Sequence, residues 1–580
     1  MTICSLKDRD YLSTINRIKK ILYENDINIK EITEESSGIY YTRLTTIYSF
    51  IGSNGKGFSK EQSIASAYGE LIERISNNSL IKFLQPLDNE SKNKYVYLPD
   101  EIKISTTKAN KQIEALNQLT EEATLKWMSL HTNNEILKNY YLAIPYKNLM
   151  TQKEMIIPGK LCEHIYASNG MCAGNTFEEA IVQGISEVFE RYVNKKFIFN
   201  KITPPKLPES LVNKNEDAKR FISRIKVEYP ELEVLFTDCS LGEGMPVVGL
   251  FVIDKKSGKY FVKFGAHPVL NIAMNRCISE LLQGRCFIDK DDWFRDFRFT
   301  EKSDLDINFI NIFRNGQGDY PYEIFLNESS YEFSNIWYEG EMKNVLVLDY
   351  IVSLLIKNDI EVYYKNTSYL GFDSYQVIVP KYSEIINFND DYVNRIFDYE
   401  RIKGLLKKVK NCNKNEIRDI VNYIERYQFN TNKYNLSDVL CIKMSSSSLF
   451  YRNSVLLFLF YSYILFEEYD KAIFYIKELN SSTKKHNSLY SCLYIFSNLL
   501  FNKKESIEIA NEVIEKLFEL QIAKYVKTTV IKPEIYFNIF PVINCYSCDN
   551  CTQKKECFYP IIKKFNDKIT NTLRGKNEEK

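Results

Sequence analysis

Apolar residues recur at spacings of three and four in three stretches of the chain: Ser59 to Asn77, Thr176 to Asn194 and Leu270 to Cys286. That period predicts amphipathic helices. Around them lie "TTIYSFIG", "PVVGLFVID", "KYFVKFGAH" and "YQVIVP", rich in β-branched and aromatic residues, which predict strands. The mixture predicts an α/β or α+β domain over residues 1–390. Beyond residue 390 the pattern turns helical. "YERIKGLLKKVKNC" and "NEIRDIVNYIERY" are charged helices, followed by two candidate helical hairpins, "NSVLLFLFYSYILFEEYDKAIFYIKELN" and "HNSLYSCLYIFSNLLFNKKESIEIANEVIEKLF". Asp470 and Glu505 stand 35 residues apart in these hairpins, close to the tetratricopeptide period. Two repeats fall short of the roughly three such an array needs, so a helical bundle packed on the first domain is the plain alternative. The expected division is 1–390, a helical, tetratricopeptide-like region over 391–535, and a tail over 536–580.

One unit occurs twice. "SNGKGFSKEQSIASAYGELIER" (53–74) and "SNGMCAGNTFEEAIVQGISEVFER" (168–191) both open on Ser-Asn-Gly and close on Glu-x-x-Glu-Arg. Residues three apart share a helix face, so Glu70 points with Glu73, and Glu187 with Glu190. Like charges so close need neutralising. Arg74 and Arg191 follow directly, but a neighbour at i+1 points about 100° away. A solvated face is one reading. The other is a hard divalent cation, because magnesium takes carboxylate oxygens and brings phosphates with it. The Gly-rich segments that open the two units are expected to be phosphate-cradling loops, with Lys56 in the first. They lack the Walker pattern. A third helix, "NRCISELLQGR", carries Arg276, Glu280, Gln283 and Arg285. Arg276 and Glu280 at i,i+4 make either a surface ion pair or a phosphate-binding arginine beside a carboxylate. His267 in "FGAHP" fits a structural hydrogen bond better than a general base.

Charge and composition narrow the function. The 580 residues carry a formal net charge of +1, which gives no long-range field for nucleic acid or membrane. The longest apolar run, Val455 to Phe466, is 12 residues against the roughly 20 a bilayer span needs. The N-terminal sequence has no apolar signal core, so a cytoplasmic protein is expected. Of 13 cysteines, four cluster as C-x2-C-x2-C-x5-C: Cys545, Cys548, Cys551 and Cys557. In a reducing compartment such a cluster reads as a metal site, either an iron–sulfur cluster or zinc.

Taken together, "NGKG…SAYGELIER", "SNGMCAGNT…EAIVQGISEVFERY" and "FGAHP…NRCISELLQGR" resemble the YcaO family over about residues 1–385. The resemblance is specific because three separated motifs occur in order. It implies an α+β ATP-binding domain of internally duplicated halves, followed by an all-α tetratricopeptide-like region as in the Escherichia coli-type branch. It implies Mg2+ on Glu70, Glu73, Glu187 and Glu190. ATP contacts would come from Lys7, Thr14, Asn175, Glu179, Arg191 and Arg276, with Lys56 and Cys172 in the Gly-rich segments. Thr14 and Cys172 stand where that branch has Ser; Cys172 thereby exchanges a good donor for a weak one.

Family members use ATP to activate a peptide amide, giving azolines, thioamides or amidines. The branch assists a radical S-adenosylmethionine methylthiotransferase that β-methylthiolates a small-subunit ribosomal protein. This chain has no Pro-rich P-x-P-x-P ending and no fused precursor-binding domain, which favours the branch role. The expected function is therefore a Mg-ATP-dependent accessory factor for ribosomal protein methylthiolation. The alternatives are a cyclodehydratase or thioamide synthase acting on a precursor peptide, and a non-catalytic ATP-sensing interaction protein. A homodimer is expected from the likeness alone. The cysteine cluster is foreign to the branch.

Overall fold

The computed structural model describes residues 6–36, 38–46, 52–77, 102–105, 119–132, 140–282, 285, 287–299, 305–316, 318–427, 429, 434–482, 487–544 and 551–558. Three sheets carry the first domain. One is β1 (Ile29–Ser36), β2 (Ile39–Thr46) and β3 (Gly52–Gly57) in that order. The second joins β4 (Ile102–Ser105), β5 (Tyr140–Asn148), β11 (Tyr363–Asn366), β12 (Asp373–Ile378) and β7 (Met171–Gly174), with β6 (Glu154–Pro158) paired to β5. The third is β10 (Tyr260–Ala266), β9 (Val247–Asp254) and β8 (Leu232–Asp238). Among the described residues these strands pair antiparallel, which makes the domain α+β.

The helices that matter for the site are α1 (Tyr11–Glu24), α2 (Lys60–Ser76), α3 (Glu121–Thr132), α4 (Phe177–Asn200), α5 (Glu216–Glu228), α6 (Leu270–Leu281), α7 (Leu305–Asn315) and α8 (Asn344–Lys357). The expected helix from Ser59 to Asn77 is α2, with those two residues as its caps. Ser59 accepts from the Gln62 N–H, and Thr176 caps α4 in the same way by accepting from the Glu179 N–H. Helix α4 runs on to Asn200, and α6 ends at Leu281. "PVVGLFVID", "KYFVKFGAH" and "YQVIVP" are β9, β10 and β12. The expected strand "TTIYSFIG" supplies only the end of β2 and the start of β3; residues 47–51 lie outside the described residues.

The first Gly-rich segment is strand rather than loop, whereas the second is a turn over residues 168–170 that leads into a short strand. Gly52–Gly57 pairs along β2, and Met171–Gly174 pairs along β12. The reason is helix packing. A Cβ on Gly55 would lie 2.1 Å from the Ser63 carbonyl oxygen and 2.3 Å from the Ala67 nitrogen. The missing side chain lets α2 lie directly on its own strand. Gly55→Ala is therefore expected to cost roughly 1–3 kcal/mol, because backbone rather than a flexible side chain must move. A urea denaturation midpoint equal to wild type would refute this packing role.

Helix α9 (Asp390–Lys407) crosses the expected boundary at residue 390. Its start, with Tyr392 and Val393, packs into the main core of the first domain, and its end, with Ile402 and Leu406, into a second one. That second core extends to Ile543 and contains α10 (Lys414–Arg426), α11 (Val455–Phe466), α12 (Tyr469–Ser482), α13 (Ser488–Ser497), α14 (Ile507–Leu517) and α15 (Leu520–Ile531). The long apolar run is α11, buried on nearly every side as a central core helix is. Among the described residues no helix is long and apolar enough to cross a membrane. Asp470 lies in the first turn of α12, whereas Glu505 precedes α14, behind a π-helical turn at Asn498–Asn502. The two positions are not equivalent, and the expected tetratricopeptide-like repeat is not established.

Candidate functional site

A cavity of about 440 Å3 opens between the repeated units. Its wall takes Glu70, Glu73 and Arg74 from α2, Glu179, Glu187, Glu190 and Arg191 from α4, and Arg276 and Glu280 from α6. Lys7 and Thr14 close it from the N-terminal segment and α1, and Lys56 from β3. Six carboxylates and five cationic side chains thus line one chamber. Such near balance suits a ligand that brings both anionic groups and cations.

The two Glu-x-x-Glu-Arg units meet here, since α2 packs on β7 as well as on β3. Glu73 has its acidity weakened well beyond the usual carboxylate range, first by burial, against the pull of Arg74, and further by the charges of Glu187 and Glu70. Glu190 is pushed up to about 8 by burial and by Glu280, with Arg191 and Arg276 opposing. The arginines do more than their i+1 positions suggest. Arg74 lies 3.7 Å from Glu70 and 3.5 Å from Glu73, and Arg191 lies 3.3 Å from Glu187 one turn back. Even so, Glu187 Oε1 and Arg191 Nε are buried without a hydrogen-bond partner. Glu73 and Glu190, which burial pushes toward the protonated form, and Glu187, with an oxygen short of a hydrogen bond, fit a hard cation. Glu70, Glu73, Glu187 and Glu190 line the chamber and are the carboxylates that could hold it.

Other expected contacts fall into two groups. Lys7, Thr14, Lys56, Glu179, Arg191 and Arg276 line the cavity. Glu179 is already engaged: burial opposes its ionisation, but Lys7 Nζ at 2.8 Å, the Asp8 N–H at 2.9 Å and Asn175 Nδ2 hold it below the usual range. It anchors the N-terminal segment over the chamber. Lys56 Nζ bridges to Glu280 at 2.9 Å, tying the first unit to α6. Arg276 donates to the Ala266 carbonyl at 2.6 Å and to Gln183 Oε1, so Arg276 and Glu280 do not form the surface pair that their spacing allows.

Asn175 and Cys172 do not line the cavity. Asn175 stands behind it, taking the Thr14 hydroxyl at 3.0 Å and donating to Glu179. For Cys172 the structure takes the side chain, though not the backbone, out of the expected nucleotide contact. Its side chain is fully buried, packs toward Gly184 of α4 and reaches the Tyr375 carbonyl at 3.6 Å. Strand alternation puts Ala173, not Cys172, on the chamber side. His267 plays the structural part expected, accepting from the Val269 N–H at 3.0 Å, and burial keeps it neutral.

Sequence reasoning missed Gln183 and Asn344. Asn344, at the start of α8, lines the chamber with its Nδ2 buried and without a partner. No pattern marks it, although Gln183 sits one turn before Glu187 on the predicted helix. Gln283 lies outside the described residues. So do Cys545 and Cys548; Cys551 and Cys557 are described, and among the described residues no group of three or more potential ligands forms a metal centre.

Paired carboxylates from a duplicated strand–helix unit, facing one chamber with arginines beside them, agree with the match to a known family. The chain belongs to the YcaO family: the signature described as YcaO cyclodehydratase, ATP- and Mg2+-binding, covers residues 54–383. Among curated proteins it is 29% identical over 354 residues to the ribosomal protein S12 methylthiotransferase accessory factor YcaO of Escherichia coli K12. It is 30% identical over 355 residues to an uncharacterized protein of Haemophilus influenzae. Each match spans 58% of this chain and 58% of the relative. Solved structures with looser likeness include a heterocyclase in complex with substrate and cofactor (17% identity, 65% of this chain and 53% of that one, TM-score 0.45). Another is YcaO from Methanopyrus kandleri bound with AMPPCP and Mg2+ (16% identity, 66% and 93%, TM-score 0.42).

Proposed function

We propose that this chain binds Mg-ATP in the chamber between its repeated units and spends it on a protein or peptide acceptor. The observation that carries this reading is the convergence of Glu70, Glu73, Glu187 and Glu190 on one cavity that Lys7, Arg191 and Arg276 also line. Bound magnesium would supply charge neutralisation on the phosphates. The chain's own groups would do the rest. Arg276, fixed by Ala266 and Gln183, presents a planar cation to a phosphate. Lys7 and Thr14 close the chamber, held by Glu179 and Asn175.

The acceptor role best supported is assistance to β-methylthiolation of a small-subunit ribosomal protein, on the ground of the Escherichia coli relative. A radical S-adenosylmethionine methylthiotransferase would be the partner, the protein would be cytoplasmic, and its working form a homodimer. The cysteines at 545, 548, 551 and 557 would hold zinc or an iron–sulfur cluster, by their spacing. Amide activation on a precursor peptide is the second reading, favoured by the family's cyclodehydratase description.

The test is the intact mass of the small-subunit ribosomal protein from cells with and without the gene. Loss of one methylthio group in the deletion supports the accessory role. An unchanged mass removes it and leaves peptide modification.

A further inference from the structure

A second cavity of about 180 Å3 lies against the first, and the two share Glu190, Arg191 and Glu280. Asn194, Lys263 and Gly316 are among the residues that line it further. Two cations gather here around one ring. Lys263 Nζ lies 5.5 Å, and the Arg285 guanidinium 5.0 Å, from the centroid of Phe261. Both come close to Gly316. A Cβ on that residue would lie 2.8 Å from Lys263 Nζ and 3.8 Å from Arg285 Nη2, so the glycine, at φ +66°, leaves the space between them open.

The pair is short of counter-charge. Arg285 Nη1 donates to the carbonyls of Glu280 and Leu281, and Nη2 stands on the Gly316 side. Among the described residues neither cation has a carboxylate within ion-pair distance, and the Glu280 carboxylate is taken by Lys56 at 2.9 Å. Glu190, the other carboxylate of the lining, is pushed up to about 8 by burial and so carries little charge at pH 7 without a cation. Burial brings Lys263 down to about 8, with Glu280 opposing and Arg285 and Lys56 adding to the fall, which leaves the ammonium charged at pH 7. Asn194 supplies a third donor group: its Oδ1 accepts from the Tyr320 hydroxyl at 3.0 Å, and its amide N–H groups remain.

We propose that this second cavity is an oxyanion site, and that Lys263, Arg285 and Asn194 hold in it the inorganic phosphate that ATP consumption leaves. The source of the phosphate rests on the Mg-ATP reading; the anion site itself does not. Buried cations without a carboxylate are costly until an anion joins them, and a neutral ligand would leave that cost in place. An ammonium, a guanidinium and a carboxamide supply N–H donors from separate side chains, which suits an ion with oxygens on several sides. The volume is below the roughly 300–1,000 Å3 of a drug-sized pocket, so it suits a small ion rather than a second nucleotide. The shared wall of Glu190, Arg191 and Glu280 makes the site adjacent to the nucleotide chamber.

The test titrates inorganic phosphate at pH 7 into the full chain saturated with Mg2+ and AMPPCP, read by calorimetry. The bound nucleotide analogue keeps the probe out of the chamber. Wild type should still bind phosphate. Lys263→Met should weaken that binding more than tenfold and Arg285→Met several-fold, whereas Lys263→Arg, which keeps the charge, should stay within about threefold of wild type. All three variants should keep their AMPPCP affinity within about twofold, which also reports that the protein is folded. Wild type that binds AMPPCP but no phosphate overturns the proposal, as does undiminished phosphate binding in Lys263→Met. Acetate that binds more tightly than phosphate overturns phosphate as the occupant. If Lys263→Met loses AMPPCP binding, Arg285→Met decides alone. Wild type that fails to bind AMPPCP is a separate result: it removes the Mg-ATP reading and the source, and phosphate titrated alone into wild type and Lys263→Met then decides the anion site.

Discussion

Replacing Glu190 by Gln is expected to lower ATP turnover by at least about a hundredfold while leaving the metal-free fold intact. Glu190 lies where two helices of the site meet: it feels Glu280 and Arg276 from α6 and Glu187 and Arg191 from its own helix. Glutamine keeps the shape and loses the charge, so on the proposed Mg-ATP reading it removes one ligand for the cation. Preorganised electrostatic groups of this kind are commonly worth about 10²–10³ in rate. The fold should survive because burial already keeps Glu190 largely protonated up to about pH 8 without a cation, and glutamine resembles that neutral form. Phosphate release and a melting curve on the same preparation check both halves. Turnover within threefold of wild type would sink the assignment of Glu190. A large fall in melting temperature beside the loss would make the residue structural.

The duplicated motif is legible because its chemistry and its folding signals coincide. Ser59 and Thr176 start helices, and the carboxylates one turn apart declare a shared face. What periodicity does not show is the conformation of the glycines before them. Glycine weakens a strand in isolation, yet Gly55 sits in one because helix packing forbids any side chain there. Position in the motif points Cys172 at the chamber, and alternation along β7 turns it into the core. Lys263 carries a signal of its own: it is the one charged residue in "YFVKFGA", a strand otherwise apolar. Asn344 has none, since its role depends on where α8 is delivered by the intervening chain. In the helical half, a period near 35 residues suggests equivalent repeats, but the π-helical turn after α13 displaces the second member from the place of the first.

Nucleotide binding should tighten with pH, and only when magnesium is present. Without a cation, Glu190 holds its proton up to about 8, by burial and the charge of Glu280, and Glu73 is raised in the same direction by burial, Glu187 and Glu70. A cation needs the ionised carboxylates, so its binding must release those protons. Below about pH 8, each unit of rising pH should therefore strengthen Mg-dependent nucleotide binding by up to about tenfold for Glu190 alone, with a plateau above. The metal-free protein should respond in the opposite sense. An acid whose folded pKa exceeds its unfolded value binds more protons when folded, so its contribution to stability is complete below about pH 4.5 and is lost as pH rises toward 8. Saturating Mg-nucleotide should offset that loss, because it binds only the folded chain. Titration of a fluorescent ATP analogue from pH 6 to 9 at fixed free Mg2+, with a parallel series in EDTA, separates the two effects. An affinity that is flat with pH in magnesium would mean that these carboxylates are not its ligands, and the answer to why the unit is repeated would have to be sought outside the metal.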